Sequence, residues 1–226
     1  MNFFSISNSS LLGKVLRFPL RLIPANAQLR IIFGPLRGKR WIAGSGTHGC
    51  WLGTYEYEMQ SQFCEILKGM GPNAIVFDVG ANVGFYSLLC ATISPQSKVF
   101  AFEPLPRNLR YLTRHIMLNH CVNVTVKPVA VGVTSGIARF AEHESHAMGS
   151  IIHSGEGGIN VPVIGLDEEI RAGRIPNPDL VKMDIEGGEE NALIGMKDTL
   201  HAGYPMAIFL ATHTPEIHLS CCNLLK

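Results

Sequence analysis

Two glycine-rich stretches of the sequence have spacings that could bind a nucleotide. Residues 44–49 read GSGTHG, a literal match to the G-x-G-x-x-G pattern of dinucleotide-binding proteins, whereas residues 77–84 read FDVGANVG and do not match it. The pattern binds a pyrophosphate only where it joins a strand to a helix. No helical pattern follows GSGTHG before about Tyr55, so we expect a loop or turn there. The second stretch is therefore the better candidate for a cofactor loop.

FDVGANVG lies between a short apolar run and a helical one, which is the position that a cofactor loop requires. Gly80 and Gly84 let the backbone approach a ligand closely, and Asp78 and Asn82 of the same turn are further candidate cofactor-binding residues. The start of the following helix directs free N–H groups at an anion. Glu103 ends the next apolar run, 23 residues after Gly80, where an acid accepts hydrogen bonds from ribose hydroxyls. The middle glycine that a pyrophosphate needs is missing, so S-adenosylmethionine fits better than NAD.

These residues need a scaffold that brings the ends of several strands together. From residue 72 onward short apolar runs alternate with amphipathic ones, which predicts a mostly parallel sheet with helices on both faces. The predicted strands are residues 73–78, 98–103, 123–131, 180–185 and 206–212, and the predicted helices are 83–93, 104–119, 188–200 and 215 onward. Residues 135–165 interrupt this alternation and predict an inserted hairpin. The sequence therefore predicts a doubly wound α/β domain, with its ligand beyond the carboxyl ends of the strands.

Three segments of the sequence together resemble the FkbM family of class I S-adenosylmethionine-dependent methyltransferases. They read FDVGANVGFYSLL, FAFEPLPRNLRYL and VKMDIEGGEENALIGM, and the similarity covers about residues 51–213. The resemblance implies a Rossmann-like methyltransferase fold, with the first cofactor motif in the first segment and the ribose contact at Glu103. It also implies that Asp184 and Glu186 face the acceptor, which in this family is mostly a hydroxyl of a sugar or another small molecule.

A hydroxyl acceptor needs a group that removes or holds its proton during methyl transfer. Asp184, at the end of the predicted fourth strand, is the first candidate, either as a base or as an anchor for the hydroxyl. Glu186 is the second candidate, and His213, at the end of the predicted fifth strand, is the third. Many relatives carry a glutamate ahead of this histidine, whereas this chain has Ala211. That difference places more weight on Asp184 and His213.

We expect no metal ion at Asp184 and Glu186, and Mg²⁺ or Ca²⁺ dependence stays open as the less favoured alternative. Hard cations take oxygen ligands, but positions i and i+2 at a strand end need not converge, and the sequence offers no obvious third acid. Glu189 and Glu190 are better explained as first-turn acids that the helix dipole favours.

Two alternatives to a methyltransferase stay open. One is an NAD-dependent oxidoreductase that uses Glu103 on the adenosine ribose, and the missing middle glycine argues against it. The other is a nucleotide-binding module without catalysis, which Ala211 and the abrupt C-terminus support.

The charge of the chain is divided unevenly along its length. The first acidic residue is Glu56, and seven Lys and Arg residues precede it. The rest of the chain has 12 basic and 18 acidic residues, which gives it a net charge of −6. We therefore expect a basic N-terminal extension over residues 1–50 and a methyltransferase domain over residues 51–226. Leucines among the first cations favour a helix packed on the domain over a peripheral contact with a membrane. The acidic balance of the domain argues against a nucleic-acid partner.

The cysteines and the C-terminus bear on location and partners. Six cysteines form no C-x-x-C pair and predict reduced thiols in a cytoplasmic protein. No apolar run is long enough to span a membrane, and the N-terminus lacks the features of a secretory signal. The family fold usually ends with two strands that would follow Lys226. Either the chain is truncated or a partner, such as a second copy in a homodimer, completes the sheet edge.

Overall fold

The computed structural model describes residues 20, 22–142, 149–151, 158–203 and 206–226. The strands are β1 Gln28–Arg30, β2 Arg40–Ile42, β3 Ile75–Val79, β4 Lys98–Phe102, β5 Val124–Lys127, β6 Ala130–Gly132, β7 Gly136–Glu142, β8 Gly149–Ile151, β9 Ile159–Gly165, β10 Leu180–Met183 and β11 Ala207–Leu210. The α-helices are α1 His48–Leu52, α2 Tyr57–Gly69, α3 Phe85–Ile93, α4 Pro106–Leu118, α5 Leu166–Arg171, α6 Glu189–Ile194, α7 Lys197–Leu200 and α8 Pro215–Leu224.

Five strands form a parallel sheet in the order β11-β10-β3-β4-β5. The chain proceeds outward from β3 to β4 and β5, and later returns to place β10 on the other side of β3. The strand order therefore reverses between β3 and β10, and ligands of such sheets bind beyond the carboxyl ends of the strands at this switch point. The arrangement confirms the predicted doubly wound, mostly parallel sheet.

Helices cover both faces of this sheet because successive side chains of a strand point to opposite faces. Val76 and Leu180 pack on one face with residues of α2 and α3. Phe77 and Val181 pack on the other face with residues of α5, α6 and α8. All four side chains are fully buried. Burial on both faces explains why these strands read as near-continuous apolar runs.

The strand predicted over residues 123–131 is divided between two sheets. β5 ends at Lys127, and after Pro128 the chain enters β6, which pairs with β9 in a second sheet of order β6-β9-β7-β8. Pro128 has no N–H group to donate to a strand ladder, so the chain leaves the first sheet at this residue. The predicted inserted hairpin is present as the antiparallel pair β7 and β9, and β8 extends it.

The single helix predicted over residues 188–200 is two short helices, α6 and α7. Gly195 lies between them and packs against β6, where a Cβ atom would lie 2.0 Å from the carbonyl oxygen of Gly132. Asp167 of α5 caps α7, because its carboxylate accepts hydrogen bonds from the backbone N–H groups of Asp198 and Thr199. Helix α5 is absent from the sequence prediction. The break between α6 and α7 therefore depends on contacts with distant elements.

Residues that precede the central sheet contribute to its core. β1 and β2 form an antiparallel hairpin, and Ile31, Leu36 and Trp41 are buried in the cluster that covers one face of the sheet. The domain boundary at residue 50 stays a prediction, and the leucines before residue 20 lie outside the described residues. Within the described ranges, no helix combines the length and apolar content needed to cross a bilayer.

His115 of α4 joins the N-terminal hairpin to the segment between β3 and α3. The Ile42 N–H donates to Nε2 of His115 at 3.1 Å, and Nδ1 of His115 lies 2.8 Å from the Val83 carbonyl oxygen. Because Nε2 accepts, the neutral ring carries its proton on Nδ1 and donates it to Val83. The ring also stacks on Trp41 with a centroid distance of 3.8 Å. Burial lowers the pKa of His115 to about 4.

This pKa predicts a loss of stability in mild acid. Between about pH 6.5 and the folded-state pKa of about 4, only the unfolded chain binds a proton at this position, so unfolding becomes easier as pH falls. We expect this group to lower the free energy of unfolding by about 2 kcal/mol from about pH 7 to about pH 5. Urea denaturation at several pH values would measure it. His115→Gln, which can both accept and donate without titrating, should reduce the slope, and an unchanged slope would contradict the assignment.

Candidate active site

The glycine loop between β3 and α3 is fixed by dihedral angles and by close packing. Gly80 and Gly84 have φ angles of 77° and 91°, and Asn82 between them has a φ of 50°. A Cβ atom at Gly80 would lie 2.0 Å from the carbonyl oxygen of Asp184, and one at Gly84 would lie 2.5 Å from the Leu112 side chain. Glycine is therefore required at both positions. The loop packs between the end of β10 and helix α4.

Glu103 directly follows β4, and its carboxylate is held beside the glycine loop. Oε2 accepts a hydrogen bond from the Asn82 N–H at 2.8 Å, while Oε1 accepts from the Leu105 N–H at 2.9 Å and from Nδ2 of Asn108 at 3.3 Å. Glu103 is 4% exposed, and burial raises its pKa to about 7 although the hydrogen bonds act in the opposite direction. Since a carboxylate accepts about four hydrogen bonds, the three from the described residues leave one acceptor position on Oε2.

Asp78 and Lys182 form a buried pair on adjacent strands. β3 and β10 are in register at these two residues, and Nζ of Lys182 lies 3.9 Å from Oδ1 of Asp78. The Ser87 hydroxyl donates to Oδ2 of Asp78 at 2.6 Å, whereas Oδ1 has no hydrogen-bond partner among the described residues. Burial raises the pKa of Asp78, and Lys182 opposes this rise. A lysine inside the apolar run LVKMD is the sequence signal for this pair.

The three side chains proposed for catalysis meet at the ends of β10 and β11. Nε2 of His213 lies 3.0 Å from Oδ1 of Asp184, and Nδ1 lies 3.6 Å from Oε2 of Glu186. One nitrogen or oxygen of each residue lies within 4.8 Å of the others. Positions i and i+2, which need not converge at a strand end, do converge here. Glu186 has a left-handed φ of 54°, which reverses the backbone after Asp184 and directs both carboxylates to His213.

Glu189 is a first-turn acid of α6, as predicted, and it also holds this segment in place. It lies in the first turn of α6 but is 0% exposed. Its Oε1 accepts a hydrogen bond from the Ile185 N–H at 3.1 Å, and its Oε2 accepts one from the Gly187 N–H at 3.0 Å. Oε1 also lies 3.4 Å from Nε2 of His213. Glu190, the next residue, is exposed, and no sequence pattern distinguishes the two glutamates.

A cavity of about 690 Å³ opens at the switch point of the sheet. The glycine loop from Gly80 to Val83 and the Glu103 side chain form part of its wall, and Asp184 and Glu186 form another part. His213 contacts both of those carboxylates without being part of the wall itself. A cavity of this size is typical of a site for a small molecule or cofactor.

The first glycine stretch, residues 44–49, also reaches this cavity. Residues 45–47 line its wall, and helix α1 begins at His48, so the expectation of no helix before Tyr55 is wrong. The helix has five residues, too few to produce a helical period in the sequence. Arg107 of α4 donates hydrogen bonds to two carbonyl oxygens of the stretch, at 3.1 and 3.3 Å. The stretch is therefore part of the cavity wall, but it does not connect a strand of the central sheet to a helix.

Two tyrosines complete the wall of the cavity. Tyr55 and Tyr86 both line it, and the Tyr86 hydroxyl donates to Oε2 of Glu56 at 2.6 Å. Glu56 has a left-handed φ of 47°, a conformation that is uncommon outside glycine and concentrates at functional sites. Nζ of Lys182 lies 5.0 Å from the centroid of the Tyr86 ring. Tyr86 belongs to the apolar helix α3, where the sequence shows no signal that separates a cavity residue from a core residue.

The strand order, the glycine loop and the acid at the end of β4 define a Rossmann-like nucleotide-binding domain of the class I methyltransferase type. The chain belongs to the family described as the methyltransferase FkbM domain, which matches residues 78–218.

Similar proteins include two curated methyltransferases and one solved structure. The hexuronic acid methyltransferase AglP of Haloferax volcanii is 34% identical over 139 residues, which cover 61% of this chain and 56% of AglP. The 31-O-demethyl-FK506 methyltransferase FkbM of Streptomyces tacrolimicus is 27% identical over 175 residues, which cover 62% of this chain and 67% of that protein. The chain thus spans about half the length of AglP. The crystal structure of methyltransferase FkbM from Methylobacillus flagellatus KT has a TM-score of 0.50 at 22% identity, covering 68% of this chain and 37% of that one, and it supports the fold.

Because Glu189 is buried and Glu190 is exposed, we expect truncation of these adjacent glutamates to affect stability differently. Glu189→Ala should lower the free energy of unfolding by about 2 kcal/mol, because it leaves the N–H groups of Ile185 and Gly187 without their acceptor. Glu190→Ala, at an exposed position, should change it by about 0.5 kcal/mol or less. Urea denaturation of both variants beside the parent chain would measure the difference. Equal effects would show that Glu189 does not hold the segment.

Proposed function

We propose that this chain is an S-adenosylmethionine-dependent methyltransferase that methylates a hydroxyl of a small molecule or sugar. The observation that carries the proposal is one cavity whose wall contains the glycine loop, Glu103 and the two carboxylates Asp184 and Glu186. Methyl transfer requires a donor site and an acceptor site in contact, because the protein contributes mainly alignment and removal of a proton.

The residues on the wall fit S-adenosylmethionine. The glycine loop leads into the N-terminus of α3, a helix of nine residues whose first N–H groups favour an anionic group such as a carboxylate. Glu103 offers the open acceptor position on Oε2 to a ribose hydroxyl. The cofactor needs no pyrophosphate cradle, which agrees with the absence of a middle glycine between Gly80 and Gly84. When bound, it supplies a methyl group already activated on a sulfonium.

Asp184 and Glu186 are the wall groups that can accept the proton of an acceptor hydroxyl. Asp184 directly follows β10 and contacts Lys182, whose Nζ lies 3.5 Å from Oδ2, so its carboxylate is oriented from one side. His213 orients it from the other side through the 3.0 Å contact with Oδ1. We assign to Asp184 the role of base or anchor for the hydroxyl and to Glu186 a second contact. His213 contacts Asp184 and takes up or shares the proton that Asp184 accepts from the hydroxyl.

The names of the relatives support a hydroxylated acceptor. One relative is a hexuronic acid methyltransferase and another is a 31-O-demethyl-FK506 methyltransferase. A sugar and a small molecule bearing a free hydroxyl are therefore the first acceptor classes to test. Tyr55, Tyr86 and Arg107 on the cavity wall offer hydroxyl and guanidinium groups for polar contacts with such molecules.

We also propose a cytoplasmic location for the chain. The six cysteines are free thiols, and five of them are buried. Free, buried thiols are typical of proteins in reducing compartments.

Binding of the methyl donor is the first test. Calorimetric titration should show that S-adenosylmethionine binds, and that Glu103→Ala weakens the affinity by about tenfold or more, because the ribose contact is lost. Glu65→Ala, at an exposed position of α2, is the matched control and should leave the affinity unchanged. The same titration with NAD⁺ tests the alternative cofactor. Binding of NAD⁺ in place of S-adenosylmethionine would overturn the proposal.

Turnover separates an enzyme from a binding module. With a panel of hexuronic acid glycosides and hydroxylated small molecules, release of S-adenosylhomocysteine would identify the acceptors. Asp184→Asn should then reduce turnover by about a hundredfold or more while S-adenosylmethionine affinity stays the same, since the hydroxyl loses its proton acceptor. Asp198→Asn, which alters a surface pair with Arg171, is the control. Full activity in Asp184→Asn would remove this residue from the mechanism.

A further inference from the structure

Asp184, Glu186 and His213 have the composition and spacing of a divalent metal site. They provide two carboxylates and one imidazole, and one donor atom from each lies within 4.8 Å of the others. Ligand atoms on one ion, each bound at about 2.1 Å, lie about 3 to 4 Å apart. The 3.0 Å contact of Nε2 of His213 with Oδ1 of Asp184 falls in this range. The 3.6 Å contact with Glu186 is made by the other ring nitrogen, Nδ1, so one ion requires the imidazole or the Glu186 side chain to rotate until a single ring nitrogen faces both carboxylates.

The backbone explains why these donors converge. Asp184 and His213 follow β10 and β11, which are adjacent parallel strands, so their chain ends lie side by side. The left-handed conformation at Glu186 turns its side chain toward the same point. Glu189 fixes the turn through the N–H groups of Ile185 and Gly187. The site is therefore preorganised by strand pairing and by a buried hydrogen-bond acceptor.

An excess of negative charge around the triad points independently to a bound cation. Glu189 is fully buried, its hydrogen-bond donors are neutral backbone groups, and Oε1 lies 3.4 Å from His213. Asp78 is also buried and shares Lys182 with Asp184, and its Oδ1 has no hydrogen-bond partner among the described residues. Among the described lysines and arginines, only Lys182 lies within 4.0 Å of these carboxylates. Four carboxylates thus lie around one ammonium and one imidazole, and two of them, Asp78 and Glu189, are buried, where uncompensated charge is costly.

We propose that Asp184, Glu186 and His213 bind one first-row divalent cation such as Mn²⁺. A mixed set of carboxylates and imidazole favours transition metals over Ca²⁺, whose ligands are oxygens. Three protein ligands leave coordination positions open toward the cavity, as in catalytic metal sites. The ion would hold a hydroxyl oxygen of the acceptor, and the proton of that hydroxyl would pass to the oxygen of Asp184 or Glu186 that does not bind the ion. His213 would then serve as a ligand and not as a proton acceptor. That role rests on the proposed function, whereas binding of the cation does not.

The test is titration of the purified full chain with Mn²⁺. Binding is measured as the loss of the electron paramagnetic resonance signal of the free ion. We expect one Mn²⁺ per chain, and an affinity at least about tenfold weaker in each of Asp184→Asn, Glu186→Gln and His213→Gln. Glu190→Gln is the matched control, because its carboxylate accepts from the Ser220 hydroxyl outside the triad, and it should bind Mn²⁺ as the parent chain does. Thermal unfolding of each variant checks that it is folded.

A second readout identifies the ligand directly. Pulsed resonance spectra of the Mn²⁺ complex should contain a nitrogen coupling from an imidazole, and His213→Gln should remove it. No Mn²⁺ binding by the parent chain, or equal binding by all variants, overturns the metal site.

Calorimetry with S-adenosylmethionine on the same preparations distinguishes the two proposals. Cofactor binding without Mn²⁺ binding overturns the metal site alone. Mn²⁺ binding through the triad without cofactor binding supports the site and overturns the proposed function.

Discussion

The close approach of Gly80 to the carbonyl oxygen of Asp184 is the contact on which the rest of the site depends. A Cβ atom at Gly80 would lie 2.0 Å from that oxygen, so only glycine lets the end of β3 lie against the end of β10. This contact joins the two halves of the site at the point where the strand order reverses. The proposed cofactor loop continues from Gly80, and the acidic segment begins at Asp184. The parallel pairing of β3 with β10 therefore determines both halves together.

Buried carboxylates lie around this contact, and they bear on both the stability and the proposed function of the chain. Asp78, Glu103 and Glu189 are carboxylates with almost no exposure to solvent. Each is held by specific donors: the Ser87 hydroxyl for Asp78, and backbone N–H groups for the other two. Such groups lower stability unless they are fully compensated, and they concentrate where a protein binds ligands or performs chemistry. The raised pKa of Glu103, to about 7, shows how much burial at this site opposes charge.

Much of the fold follows from local patterns that the sequence contains. The apolar runs at β3, β4 and β10 are flanked by turn residues and by helical periods, so strand, helix and parallel order can be predicted together. The elements that local patterns do not predict depend on distant contacts. Pro128 leads the chain out of one sheet, but the pairing of β6 with β9 involves residues more than thirty positions apart. The break at Gly195 is set by the backbone of Gly132, which no local pattern reports.

The sequence by itself determined the doubly wound class, the choice of FDVGANVG as the candidate cofactor loop, and the candidate residues Glu103, Asp184, Glu186 and His213. Those conclusions need only the period of apolar residues and the position of polar residues after strands. Only the tertiary structure decided that Asp184, Glu186 and His213 lie within contact of one another. It also decided that Glu189 is buried while Glu190 is exposed. The physical reason is that convergence depends on strand pairing and on a left-handed backbone at Glu186, which act through space rather than along the chain.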